Sequence, residues 1–218
     1  MADKDIEALL REAVSAHRAL PGKIEVGKAI YGLTGKNVIR LTDDPLDSEL
    51  LEKVCQAAKT IIKDSAVIPI RTTRLNELGN AVEEPLLNAC LKVGLDATWP
   101  KRSDGSGGRS GYPDIALGIG SQRPTYLEAK VVGDKNDKSS FRSFYLSPSD
   151  RPKVCVDARH LLLAFGHKRL KDTEDGLEQY SLLTYKVVDL ARVSGKIKFE
   201  FQSSNKDMYL GHAVIAAG

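Results

Sequence analysis

The chain is 218 residues long, 42% hydrophobic and 28% charged, with 32 Lys and Arg against 29 Asp and Glu and a formal net charge of +3. These proportions belong to a globular protein able to bury one sizeable core. They exclude a disordered chain, a fibrous repeat and an integral membrane protein. The opening segment MADKDIEALLREA is charged from its third residue, so no secretory signal is expected. The three cysteines, Cys55, Cys90 and Cys155, form no CxxC pair and suit reduced thiols in a cytoplasmic protein.

Ile6, Leu9, Leu10, Ala13 and Val14 recur at helical spacing within residues 3–20, a stretch closed by Pro21. Residues 21–45 are glycine-rich and mixed. A second helix is predicted from Asp47 to Lys63, with Leu50, Leu51, Val54, Cys55, Ala58, Ile61 and Ile62 as its apolar stripe. A third is predicted from Arg74 to Val93, with Gly94 as its C-cap and a kink at Pro85. The periodicity then changes. Ala97–Trp99 reads as a short strand and Lys101–Gly111 as a Gly/Ser loop. Tyr112–Ile119 and Thr125–Val132 read as two strands joined by a Gly-Ser-Gln-Arg-Pro turn. Residues 133–153 are a long basic and polar connection. His160–Phe165 is a continuous apolar run, expected to be a strand buried on both faces. Tyr180–Leu190 and Ile197–Gln202 are further strands. Helices first and sheet after predict an α/β or α+β fold, organised as a single domain over residues 1–218 with an N-terminal helical portion over 1–70.

The two central strands carry the chemistry. Ile115, Leu117 and Ile119, like Leu127, Ala129 and Val131, form apolar odd-numbered faces. The even-numbered faces carry Asp114, Ala116 and Gly118 on one strand and Tyr126, Glu128 and Lys130 on the other. A hairpin turning near Gln122 sets Asp114 opposite Lys130 and diagonal to Glu128, with Ala116 and Gly118 leaving that face open. Two carboxylates around a gap are hard oxygen ligands suited to Mg²⁺, and an adjacent lysine can orient a water or stabilise charge on a phosphate. A solvated strand face bearing a cross-strand ion pair has the same residue types. What favours chemistry is the context: matching parity on adjacent strands, a Gly-rich loop before them and a basic connection after them.

Tyr112-Pro113-Asp114 followed by Leu127-Glu128-Ala129-Lys130 resembles the PD-(D/E)xK nucleases. With Ser139–Pro148, Asp157–Phe165 and Phe199–Tyr209, the surroundings look most like a type II restriction endonuclease. The resemblance implies an αβββαβ core at residues 71–218, with a mixed central sheet. It also implies Mg²⁺ dependence, a homodimer, and cleavage of double-stranded DNA at a short palindrome. Asp114 and Glu128 match its metal-binding pair, and Lys130 its catalytic lysine. Glu83, within Gly79–Glu83, matches the acidic residue that this family often adds from the preceding helix. Glu84 would face about 100° away. Two alternatives stay open: a structure-selective nuclease on the same core, of the Holliday-junction-resolvase kind, and a DNA-binding protein without catalysis.

For DNA contacts, Lys138, Ser140, Arg142, Tyr145, Lys153 and Arg159 lie in or near the basic connection and suit phosphates. Arg109 in the Gly-rich loop and Asn205 and Lys206 in Ser203–Lys206 are candidates for base edges. Gly35-Lys36-Asn37 lacks the first glycine and the Ser/Thr of a phosphate-binding loop. The Gly-rich run 105–111 precedes a strand and not a helix, so a dinucleotide site is not expected. His17, His160, His167 and His212 form no spaced metal cluster, and His160 is expected to be a hydrogen-bonded structural residue. The charge is uneven: residues 1–100 hold 13 basic and 15 acidic residues (−2), and residues 101–218 hold 19 and 14 (+5). Residues 130–171 alone hold 10 basic against 4 acidic (+6), beside the proposed active strand.

Overall fold

A computed structural model describes residues 6–133, 146–170, 173 and 175–198. The chain divides into two compact units, one of residues 1–24 with 194–218 and the other Glu25–Val193. In the first, the predicted opening helix is α1 (Ile6–Ala19), and Ser194–Gly195 form a short strand. Of the strand expected at Ile197–Gln202, residues 197–198 are not in a strand and the remainder lies outside the described residues.

The second unit is built on a mixed sheet of seven strands. In chain order it runs α2 (Val26–Thr34), β1 (Val38–Ile39), α3 (Pro45–Val67), β2 (Ile70–Thr72), a 3₁₀ turn (Leu75–Glu77) and α4 (Leu78–Lys92). Then follow β3 (Ala97–Thr98), β4 (Ile115–Leu117), β5 (Thr125–Gly133), β6 (Ala158–Arg169) and β7 (Glu178–Asp189). The strand order is β2-β7-β6-β5-β4-β3, and β1 adds to β6. Strands β5 and β6 are parallel and the other pairings are antiparallel, apart from β1, which runs parallel to the start of β6. The predicted α/β class with a mixed central sheet is what the chain adopts. The helix expected between the third and fourth strands of an αβββαβ core would belong to the connection from β5 to β6, of which residues 134–145 lie outside the described residues. No helix among the described residues is long and apolar enough to cross a membrane.

Sequence dictates these elements locally. Asp44 caps α3 by accepting the backbone N–H of Leu46 at 2.8 Å, with Pro45 in the first turn. Leu50, Val54, Ala57, Ala58 and Ile61 then recur at helical spacing and are buried. Helix α4 continues through Pro85 and ends where Gly94 takes a positive φ of 78°. The apolar faces of α3 and α4 meet the odd-numbered face of the sheet. Leu50, Val54, Leu78, Val82 and Leu86 form one core with Ile115, Leu117, Leu127, Leu161, Leu163 and Phe165.

Four expectations are corrected. Residues 26–34 form a helix despite Gly27 and Gly32, because Val26, Ile30 and the aligned apolar face pack against the sheet. The β4–β5 register is shifted by two residues: Ile115 pairs with Leu127 and Leu117 with Thr125, so Asp114 lies towards Glu128 and not opposite Lys130. An even shift preserves the parity, so Ile115, Leu117, Leu127 and Ala129 stay on the odd face and Ala116 and Tyr126 on the even face, whereas Ile119, beyond the end of β4, packs with the even-face core. The even face is open only at one end, since Ala116 is buried in a second core with Ile30, Tyr126, Val154 and Ala158. Strand β6 is buried on both faces only at its start. From Leu162 onward its even residues Leu162, Ala164 and Gly166 are half-buried.

Candidate active site

A cavity of about 910 Å³ opens at the end of the even face. It is lined by Asn80, Glu83, Glu84 and Asn88 of α4, by Arg109 to Tyr112 of the Gly-rich loop, and by Asp114, Glu128 and Lys130. The four side chains expected to do the chemistry therefore meet. Asp114 Oδ2 accepts the backbone N–H of Ala129 at 2.8 Å, which ties the residue before β4 to the centre of β5. Glu128 is buried on β5. Its Oε1 accepts a hydrogen bond and ion pair from Lys130 Nζ, while its Oε2 is buried without a hydrogen-bond donor among the described residues. Burial, reinforced by the charge of Asp114, pushes the Glu128 carboxyl up to about 7, against the opposing pull of Lys130. Glu83 is raised as well, by burial first and then by Asp114.

Glu83 and Glu84 are separated by environment: the Glu83 side chain is 10% exposed and that of Glu84 66%. Arg109 bridges them, 3.6 Å from each carboxylate, with its guanidinium 4.3 Å from the centre of the Trp99 ring. Trp99 is thus the platform on which the loop's arginine rests. Asn80 and Asn88 also face the cavity. Neither is among the sequence-based candidates; the spacing of Asn80, Glu84 and Asn88 by four residues, which marks one polar face of α4, is the signal that points to them.

Lys153 and Arg159, expected to touch phosphate, are both buried, at 5% and 4% exposure. Lys153 Nζ donates to the carbonyls of Arg109, Gly111 and Pro113. Arg159 pairs with Asp47 of α3, which also takes Arg123 and the backbone N–H and hydroxyl of Thr42. Neither is positioned to reach a duplex, because a buried cation is kept by its internal partners. Lys138, Ser140, Arg142, Tyr145, Asn205 and Lys206 lie outside the described residues.

The rejected motifs resolve structurally. Gly35 caps α2 with φ 67°, and Asn37 bonds Asp157 through its backbone N–H (2.7 Å) and its side chain (3.0 Å). His160 hydrogen-bonds the Tyr112 hydroxyl through Nδ1, and burial lowers it to about 4, so it is neutral. All three cysteines are free thiols, with Cys90 buried. Among the described residues, no three His, Cys, Asp or Glu side chains converge into a metal cage. Two carboxylate residues, Asp114 just before β4 and Glu128 on β5, are what the hairpin supplies.

Residues 22–212 match the family model of the type II restriction enzyme MjaV family. A curated relative, the type II restriction enzyme MjaV of Methanocaldococcus jannaschii, is 30% identical over 228 aligned positions, covering 97% of this chain and 94% of the relative. No solved structure matches the chain.

Proposed function

Because the chain belongs to the MjaV family of type II restriction enzymes, we propose that the cavity bordered by Asp114, Glu128 and Lys130 is where it cuts DNA. The chain is a type II restriction endonuclease, a site-specific deoxyribonuclease. The observation that supports this placement is Glu128 Oε2, a buried oxygen that meets no donor among the described residues, close enough to Asp114 to be raised by its charge. Such an oxygen is costly unless a cation or donor meets it. Asp114 and Glu128 would hold a divalent cation, and their hard oxygens suit Mg²⁺. A cation held there would supply polarisation of the scissile phosphate and acidification of a water.

The chain's own groups do the rest. Lys130, half-exposed at the open end of β5, already spends one N–H on Glu128. Its remaining donors suit orienting the attacking water or meeting phosphate charge. Glu83 adds a carboxylate from α4 to the cavity wall, suited to accept a proton. Arg109, on the rim with half its side chain exposed, suits a phosphate or base edge. Lys138, Ser140, Arg142, Tyr145, Asn205 and Lys206 remain proposed DNA contacts. We further propose a cytoplasmic homodimer that cuts double-stranded DNA at a short palindrome.

The test is digestion of a sequenced plasmid with Mg²⁺. Lys130→Ala should lose at least about 100-fold in cleavage while binding DNA as wild type does. Cutting by that variant at the wild-type rate would remove Lys130 from the mechanism.

A further inference from the structure

Lys153 is placed in the sequence as one more cation of the basic connection. The structure gives its charge a different use. The ammonium has three N–H groups, and they meet the carbonyls of Arg109 at 3.2 Å, Gly111 at 2.7 Å and Pro113 at 3.1 Å. These acceptors are alternate residues of the loop segment that runs directly into Asp114. The residues before Lys153 hold the same loop at its other end. Arg151 pairs with Asp104 at 3.1 Å, and the Pro152 carbonyl accepts the Ser103 N–H at 2.9 Å.

A buried ammonium costs several kcal/mol unless dipoles and charges offset it. Here the three carbonyls do so, together with the carboxylates of Asp114, Glu83 and Glu128, whose attraction opposes the downward pull of burial on Lys153. We infer that Lys153 is a positioning residue of the nuclease site, clamping three loop carbonyls so that Asp114 and Arg109 are delivered to the cavity in a fixed geometry. This rests on the reading of Asp114 and Glu128 as the cation-binding pair.

The sign of one measurement separates this role from a purely electrostatic one. A lysine acting only as a nearby positive charge weakens cation binding, so its removal tightens it. A lysine acting through the loop strengthens binding, so its removal weakens it. The full chain is compared as wild type, Lys153→Met and Lys153→Gln, the glutamine keeping part of the donor set. Mn²⁺ binding is followed by electron paramagnetic resonance, and backbone exchange at residues 109–113 by mass spectrometry.

For Lys153→Met, the Mn²⁺ dissociation constant should rise about 10- to 100-fold, the range typical of groups that orient metal ligands. Exchange at 109–113 should accelerate, and kcat should fall by a similar factor with KM for DNA within about threefold. Lys153→Gln should recover part of the loss. Unchanged or tighter Mn²⁺ binding overturns the inference. So does a defect confined to DNA affinity, which would make Lys153 a phosphate contact. Failure of both variants to fold makes it a general support of the fold and overturns it too. The underlying reading is checked separately with Asp114→Ala in the presence of Lys153: wild-type Mn²⁺ affinity there removes the site assignment whatever the lysine variants do.

Discussion

Burial and the charge of Asp114 keep a proton on Glu128 up to about pH 7, and this gives the metal-free protein an unusual pH dependence. A carboxylate whose folded value lies above the ordinary 4.5 contributes stability that is fully present below pH 4.5 and lost as pH rises through 7. At about 1.4 kcal/mol per pK unit, the interval is worth roughly 3 kcal/mol as an upper bound. Glu83 is raised by the same causes and acts in the same direction. In EDTA, Glu128→Gln should therefore melt several °C above wild type at pH 8 and close to it at pH 5. Mg²⁺ at pH 8 should raise the melting temperature of wild type, which gains a partner for its two carboxylates, and leave Glu128→Gln nearly unmoved. An equal difference between the two proteins at both pH values would sink this account. The residues involved were legible in the sequence because parity survives errors of register. Asp114, Glu128 and Lys130 share a face whichever even alignment the hairpin takes. What could not be read was which end of that face stays open, since Ala116 is covered by Ile30 of a helix hidden in glycine-rich sequence and by Val154 from a distant loop.

The elements that hold the site are α4, the β4–β5 hairpin and β6, and their placement depends on one buried charge cluster away from the cavity. Asp47, in the first turn of α3, accepts from Thr42 N–H at 3.0 Å and Thr42 Oγ1 at 2.8 Å and pairs with Arg159 at the start of β6 and Arg123 in the β4–β5 turn. Burial works to raise its pKa, but Arg159 and the Thr42 bonds together outweigh it and hold the carboxyl below the ordinary value. One aspartate thus ties the N-terminus of a helix to a strand and to a hairpin turn. Removing one partner of such a buried pair costs about 3–5 kcal/mol because the other is left uncompensated. Asp47→Ala should lower the melting temperature by about 10 °C. Its cleavage rate per folded molecule at 20 °C should stay within about threefold of wild type, because Asp47 does not line the cavity. A shift below about 2 °C, measured by scanning calorimetry, would show the cluster to be dispensable. Arg159 illustrates the limit of sequence reading at this scale. A cation in a basic stretch looks like a phosphate contact until Asp47, more than a hundred residues earlier, is brought against it. The short strands β1 and β2 were invisible for a similar reason: two or three residues carry no periodicity, and only pairing with β6 and β7 makes them strands.

At the scale of the molecule, residues 130–171 hold 10 basic against 4 acidic residues, following the proposed active strand in sequence, but burial withdraws Lys153 and Arg159 from that surplus. Affinity for DNA should fall steeply with salt, in proportion to the phosphates that the remaining cations neutralise. One chain supplies one set of Asp114, Glu128 and Lys130 among the described residues, whereas a double-strand break needs two hydrolyses on strands of opposite direction. The proposed two-fold dimer on a palindrome would place one such set on each strand. This arrangement has a consequence that a monomer cutting twice does not share. When wild type and Asp114→Ala are co-expressed in equal amounts, about half of the dimers hold one active and one inactive chain, and each of these can cut only one strand per binding event. On a plasmid with a single site, open-circular DNA should then accumulate in a burst and become linear only slowly. The wild type should linearise it with little open-circular intermediate. A mixture that gives the wild-type ratio of open-circular to linear product, at half the rate, would show that each chain acts alone.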